Sequence, residues 1–146
     1  MIEDTKGGFF ISQIKQVQSR IFEKLLKDNG IDDFNGAHGR ILFVLWQEDD
    51  LTISQIGERT SLAKTTLTSM LDRMEEKGNI KRNFDPNDRR QIRITLTEKA
   101  RALNDSYITV SAQMNELFYK GFSNEEIMQF ENKLEKVLKN LKAYEG

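Results

Sequence analysis

Apolar residues recur along the chain in two rhythms. Phe10, Ile14, Val17, Ile21 and Leu25 step by three or four, which predicts an amphipathic helix closing near Asn29-Gly30. Residues 36–47 predict a second helix. Its run Ile41-Leu42-Phe43-Val44-Leu45-Trp46 is apolar nearly all round, so it should be the most buried element. Thr52 or Ser54 caps a short helix through Thr60, with Gln55 placed for a capping box on Thr52. After Thr60-Ser61, Leu67, Met70, Leu71 and Met74 mark one face of a helix over 64–77, stopped by Gly78. The period then falls to two. Ile80, Arg82 and Phe84 alternate with polar residues, as do Ile92, Ile94 and Leu96, around Asp85-Pro86-Asn87-Asp88. This predicts a hairpin with an extended tip. Ala100, Leu103, Tyr107, Val110, Met114 and Leu117 return to helical steps. Ser123 and Glu126 form a capping box for a last helix carrying Ile127, Phe130, Leu134, Val137, Leu141 and Tyr144.

The predicted fold is mostly α with a small β-hairpin wing, in one domain over 1–146. Short helix, turn, longer helix and hairpin are the order of a winged helix-turn-helix, placed at 36–97. A helical lobe comes from 9–35 and 98–146, and residues 1–8 are expected to be a flexible tail. The first helix and the last two carry more apolar stripe than the small winged lobe can cover. Pairing two copies through them buries Phe10, Ile14, Val17, Ile127, Phe130, Leu134, Val137 and Leu141. The alternative, in which all three helices close within one chain, stays open at this point.

Composition narrows the chemistry. The chain has no Cys and one His, which excludes disulfides, thiol nucleophiles, Cys-rich zinc sites and multi-histidine sites. Asp49-Asp50 and Glu125-Glu126 lack calcium-loop spacing and read as solvated loop or helix-start charge. No nucleophile with a positioned base and no phosphate-cradling glycine loop is present, so an enzyme is not expected, nor a cofactor or metal. The longest apolar run is six residues, against the ~18 that span a bilayer, and the start is acidic and polar without a signal-peptide pattern. A cytoplasmic protein without membrane contact is expected.

The formal charge of −1 is unevenly spread. Residues 51–100 carry ten basic and seven acidic groups, while residues 1–50 carry six and nine. Lys81, Arg82, Arg89, Arg90 and Arg93 concentrate the excess, and a polyanion is the natural partner of that middle. In the winged geometry the second motif helix enters the major groove of double-stranded DNA. Lys64, Thr65, Thr68, Ser69 and Asp72 lie opposite its core stripe, with Thr66 and Arg73 flanking; Ser54 and Gln55 on the first motif helix join the DNA-binding set. Small hydroxyl residues approach base edges, and Lys64 and Arg73 neutralise phosphate. The wing tip offers Arg89 or Arg90 to a narrow minor groove. A winged-helix module that holds protein without nucleic acid is the competing reading.

Asp88-Arg89-Arg90, followed after five residues by Leu96-Thr97, resembles the MarR (multiple antibiotic resistance regulator) family. So do Leu51-Thr52-Ile53-Ser54-Gln55-Ile56, Leu71-Asp72-Arg73-Met74-Glu75 with Gly78, and the final helix pair. The resemblance implies a homodimeric regulator, usually a repressor, on a pseudo-palindromic operator and often released by a small aromatic or phenolic ligand. It makes Arg90 the minor-groove arginine, Asp88 the carboxylate that orients it, and Arg89 and Arg93 phosphate contacts. Three positions depart from the family pattern. Ser69 stands where an Arg is frequent, so base readout is expected to differ. Ala63 replaces a capping Ser or Asp, which shifts the helix start onto Ser61. Ala100 replaces a Gly and suggests a more continuous helix. Absent cysteines exclude the peroxide-sensing branch, and the lone His disfavours the zinc-sensing one. Arg20, Phe34, His38 and Trp46 are the residues to inspect for an effector, although each is also an ordinary core or surface side chain.

Overall fold

The computed structural model describes residues 2–31 and 36–146. The order of elements is α1 (Gly7–Asp28), α2 (Gly36–Gln47), β1 (Leu51–Thr52), α3 (Ile53–Thr60), α4 (Lys64–Glu76), β2 (Ile80–Phe84), β3 (Ile92–Leu96), α5 (Glu98–Ala102), α6 (Asn104–Phe118) and α7 (Asn124–Glu145). Packing divides the chain into two compact units, 1–111 and 112–146. No helix among the described residues is long and apolar enough to cross a membrane.

In the first unit the predicted α2 run is the centre of the core. Ile41, Leu42 and Leu45 are fully buried, together with Ile56 of α3, Leu71 and Met74 of α4, and Ile94 of β3. Burying a Leu or Ile side chain is worth about 1.5–3 kcal/mol, so this cluster fixes how α3, α4 and the hairpin turn about their axes. The strands pair as β1-β3-β2, all antiparallel, with Ile80 opposite Leu96 and Phe84 opposite Ile92. Ile80, Ile94 and Leu96 face the core, which is the period-two face of the hairpin. A second cluster joins Leu26, Ile31, Tyr107 and Val110, with Phe22 and Trp46 packed against it. Tyr107 meets Trp46 at a ring separation of 4.8 Å and Phe22 edge-on at 5.5 Å.

The second unit holds an aromatic cluster. Phe118, Tyr119, Phe122 and Phe130 pack with ring separations of 4.8 to 6.2 Å. Tyr119 donates its hydroxyl hydrogen to Glu131. The predicted capping box forms, Ser123 accepting from the Glu126 amide and Glu126 from the Ser123 amide. α7 nevertheless buries none of its residues, and Leu134, Val137, Leu138 and Leu141 are exposed.

Four features differ from the sequence reading. α1 starts at Gly7, two residues inside the expected tail: the Phe10 amide donates to Lys6 O, which draws Gly7 and Gly8 into the first turn without a side-chain cap. β1 was not foreseen, since two residues are too few to show a period. The N-cap of α4 is Ala63 without a side-chain bond; Ser61 instead ends α3 in a left-handed conformation, φ 58°, its amide donating to Gly57 O. The helix after the hairpin is not continuous either. It tightens at Leu103, whose amide donates to Ala100 O, and splits into α5 and α6.

Gly39 explains how Tyr107 fits against α2. A Cβ there would run into the Tyr107 hydroxyl and crowd its ring at 3.1 Å. Gly39→Ala should therefore lower stability by about 1–3 kcal/mol in denaturant unfolding, and adding Tyr107→Phe should recover much of the loss. Burial pushes the Tyr107 phenol up to about 12 despite the nearby Arg40 charge. The unfolded phenol ionises near ~10, so the stability tied to neutral Tyr107 is whole below that pH and drains away as pH climbs towards about 12. Unfolding midpoints measured across that window should fall less in Tyr107→Phe than in the parent.

Candidate nucleic-acid interface

The helical pair is set by local chemistry. Thr52 accepts from the Gln55 amide at 3.2 Å, and Gln55 Oε1 accepts from the Thr52 amide at 2.9 Å, closing the predicted capping box. Thr60 donates to Ile56 O and accepts from the Leu62 amide, which fastens the turn into α4. With Leu67, Leu71 and Met74 buried, Lys64, Thr65, Thr66, Thr68, Ser69 and Arg73 all lie exposed. Ser54 and Gln55 are exposed as well, although the carboxamide oxygen of Gln55 is committed to the cap.

The wing is ordered by carboxylates. Asp85 donates its amide to Gln91 O and accepts from the Asn87 amide, so it starts the turn. Asp88 grips Arg90 three times: Nε to Oδ1 at 3.0 Å, Nη2 to Oδ2 at 3.2 Å, and the Arg90 amide to Oδ1 at 3.1 Å. These bonds hold the Asp88 carboxyl below its usual range. The Arg90 side chain is still 91% exposed, a cation held in place yet open to solvent. Arg89 beside it is exposed too.

The other wing arginines face inward. Arg82 Nη2 donates to Asp72 at 2.7 Å and Nη1 to Glu75 at 2.9 Å, tying β2 to α4. Burial works against the Arg82 charge, but the bonds to Asp72 and Glu75 outweigh it and raise its pKa. Asp72 lies on the exposed side of α4, as expected, and also serves the wing joint. Arg93, expected on phosphate, donates instead to Asp50 Oδ1 at 2.9 Å, Asp50 O at 2.7 Å and Asp85 Oδ2 at 3.0 Å. Asp50, then Asp85, raises its pKa. Asp49 and Asp50 are correspondingly paired charges rather than free loop carboxylates, Asp49 half-buried and Asp50 still exposed. Asp49 accepts from the Leu96 amide at 3.0 Å, the Asp50 amide at 2.8 Å and Arg101 Nη2 at 2.9 Å. Arg82, counted in the sequence among the cations facing a polyanion, shares the rhythm of Ile80, which is buried, and Phe84, which is exposed. Asp49, Asp50 and Arg101 left no local signal, because their partners are 43 to 52 residues away.

The effector candidates do not share one environment. Trp46 is half-buried and donates its indole N–H to Ala100 O at 3.1 Å while packing on Tyr107, a structural role. His38 is buried and Arg20 exposed. Phe34 lies outside the described residues. Among the described residues, no group of three or more His, Asp or Glu side chains could hold a metal ion.

The sequence profile of the MarR family matches residues 34–92. The organic hydroperoxide resistance transcriptional regulator of Bacillus subtilis is 33% identical over 100 residues, 68% of this chain and 67% of that protein. The chain belongs to the MarR family. Its relatives are transcriptional regulators rather than enzymes. The regulator TtmR of Methylorubrum extorquens is 44% identical over a shorter stretch, 43% of this chain but only 32% of that protein. In structure, a mutant MarR from E. coli complexed with operator DNA has a TM-score of 0.79 at 26% identity, covering 90% of this chain and 92% of that one. The winged helix-turn-helix described above is thus the MarR architecture.

Proposed function

We propose that this MarR-family regulator acts in the cytoplasm as a homodimeric repressor, sequence-specific for double-stranded DNA, with α4 in the major groove and the wing in the adjacent minor groove. One observation carries the reading. The hydroxyl-lined face of α4 and the Asp88-held Arg90 stand exposed on elements that Arg82 ties together. Lys64, Arg73 and Arg89 then meet phosphate, while Thr65, Thr68 and Ser69 approach base edges. Arg90 enters a narrow minor groove, where the negative potential is strongest. The E. coli relative complexed with operator DNA supports the same partner here.

Two copies are needed to cover the exposed apolar rows. α1 offers Phe10, Ile14 and Val17, and α7 offers Leu134, Val137 and Leu141, which is more apolar surface than a monomer leaves in water. A two-fold dimer reads two inverted half-sites about one helical turn apart, hence a pseudo-palindromic operator. Release by a small aromatic or phenolic ligand follows from family likeness alone, and we assign it no residue.

Selection of bound fragments from random duplexes at physiological salt should recover an inverted repeat. Binding of that duplex should weaken linearly in log salt, and a flat dependence would favour a protein-interaction module. Arg90→Ala should lower affinity about tenfold or more and reduce the salt slope by about one, with unfolding unchanged; undiminished binding would remove Arg90 from the minor groove. Leu134→Glu should sediment as a monomer and lose tight operator binding together. Persisting dimers would move the interface off α7.

A further inference from the structure

β1 is two residues long, and its ladder with β3 ends at the pair Thr52 and Arg93. From Ile92 outward the wing is a two-stranded ribbon, a form that twists and frays readily on its own. The Arg93 guanidinium sits where three strands become two. It reaches back to the carboxylate and the carbonyl of Asp50 and forward to Asp85, from which the tip with Asp88 and Arg90 is built. Asp50 is left-handed, φ 61°, a conformation that glycine adopts more readily. What an aspartate does there that glycine cannot is hold Arg93 by its side chain as well as its backbone. A planar fork with three donors occupied in fixed directions is a stiff link.

We infer that Asp50, Arg93 and Asp85 form a brace that sets the wing's direction, making Asp50 a positioning residue that strengthens binding to a polyanion although it carries a negative charge. The inference rests on the DNA reading above. It gives Asp50 an effect opposite in sign to simple electrostatics, under which deleting an anion near the interface tightens binding.

The test uses the full chain and the tightest duplex recovered by the selection. Asp50→Gly keeps the backbone conformation, removes the carboxylate and raises the net charge by one. The brace predicts about tenfold weaker binding, similar in size to losing Arg90 itself, with an unchanged thermal midpoint. At saturating protein, hydroxyl-radical protection of the minor groove at the wing positions should disappear, while guanine N7 protection in the major groove persists. Asp50→Asn tolerates the same backbone and keeps an acceptor for Nε, so it should restore most of the affinity. Arg93→Met should match Asp50→Gly, and the double variant should be no weaker than either single one. Asp50→Gly binding as tightly as the parent or tighter would overturn the brace. So would an Arg93→Met loss that lowers the salt slope by one while Asp50→Gly has no effect, since Arg93 would then be a phosphate contact. A parent that protects the major groove but no minor groove refutes the wing's docking and the brace with it; a parent that binds no duplex refutes the DNA reading itself.

Discussion

The orientation of α4 depends on one packing constraint: Leu67, Leu71 and Met74 are buried in the same core as Ile41, Leu42 and Leu45 of α2. Three buried side chains at helical spacing leave a 13-residue helix no freedom to roll, since any rotation would expose one of them. The exposed hydroxyl face follows from that geometry rather than from any interaction of its own. The hairpin is located by the same core through Ile80, Ile94 and Leu96, so helix and wing share one reference frame. Polar contacts refine that frame but do not create it.

The cations of the middle segment divide into two groups with different duties. Arg82, Arg93 and Arg101 each pair with carboxylates of the protein itself, Arg82 and Arg93 largely covered and Arg101 at the surface. Lys64, Arg73 and Arg89 stand exposed on the surface. Arg90 belongs to both groups, paired with Asp88 yet open to solvent. This division shows why net charge is a poor guide here. A chain of formal charge −1 still presents cations at one edge, because its acids are placed behind the arginines that must be stiff.

Much of this was legible in the sequence, and what was missed shares a physical cause. β2 and β3 have the boundaries that period two gave, and both capping boxes formed as their spacing required. Such features are local, written within a few residues of each other. The pairing of Asp49 and Asp50 could not be read, because an acidic pair beside a turn shows no partner until β3 or α5 arrives. Arg93 was placed on phosphate by family likeness, and only tertiary contact shows the carboxylates that occupy it. Ala63 shows the opposite error. A missing cap suggested a substitute at Ser61, whereas the burial of α4 makes a side-chain cap dispensable there.

If Arg90 enters the minor groove as proposed, holding it with Asp88 looks wasteful at first, since an anion opposes approach to phosphate. The entropy of the arginine side chain argues otherwise. A free arginine on a hairpin tip samples many rotamers, and each must be given up when it enters a narrow groove. Asp88 removes much of that search beforehand by fixing both the backbone amide and the guanidinium plane of Arg90. Because the pair is exposed, its own attraction is screened by water, so DNA can draw the guanidinium away at little cost. Weak attraction with tight geometry is the combination that a reading arginine requires. A buried pair would keep its partner, and a lone arginine would arrive disordered.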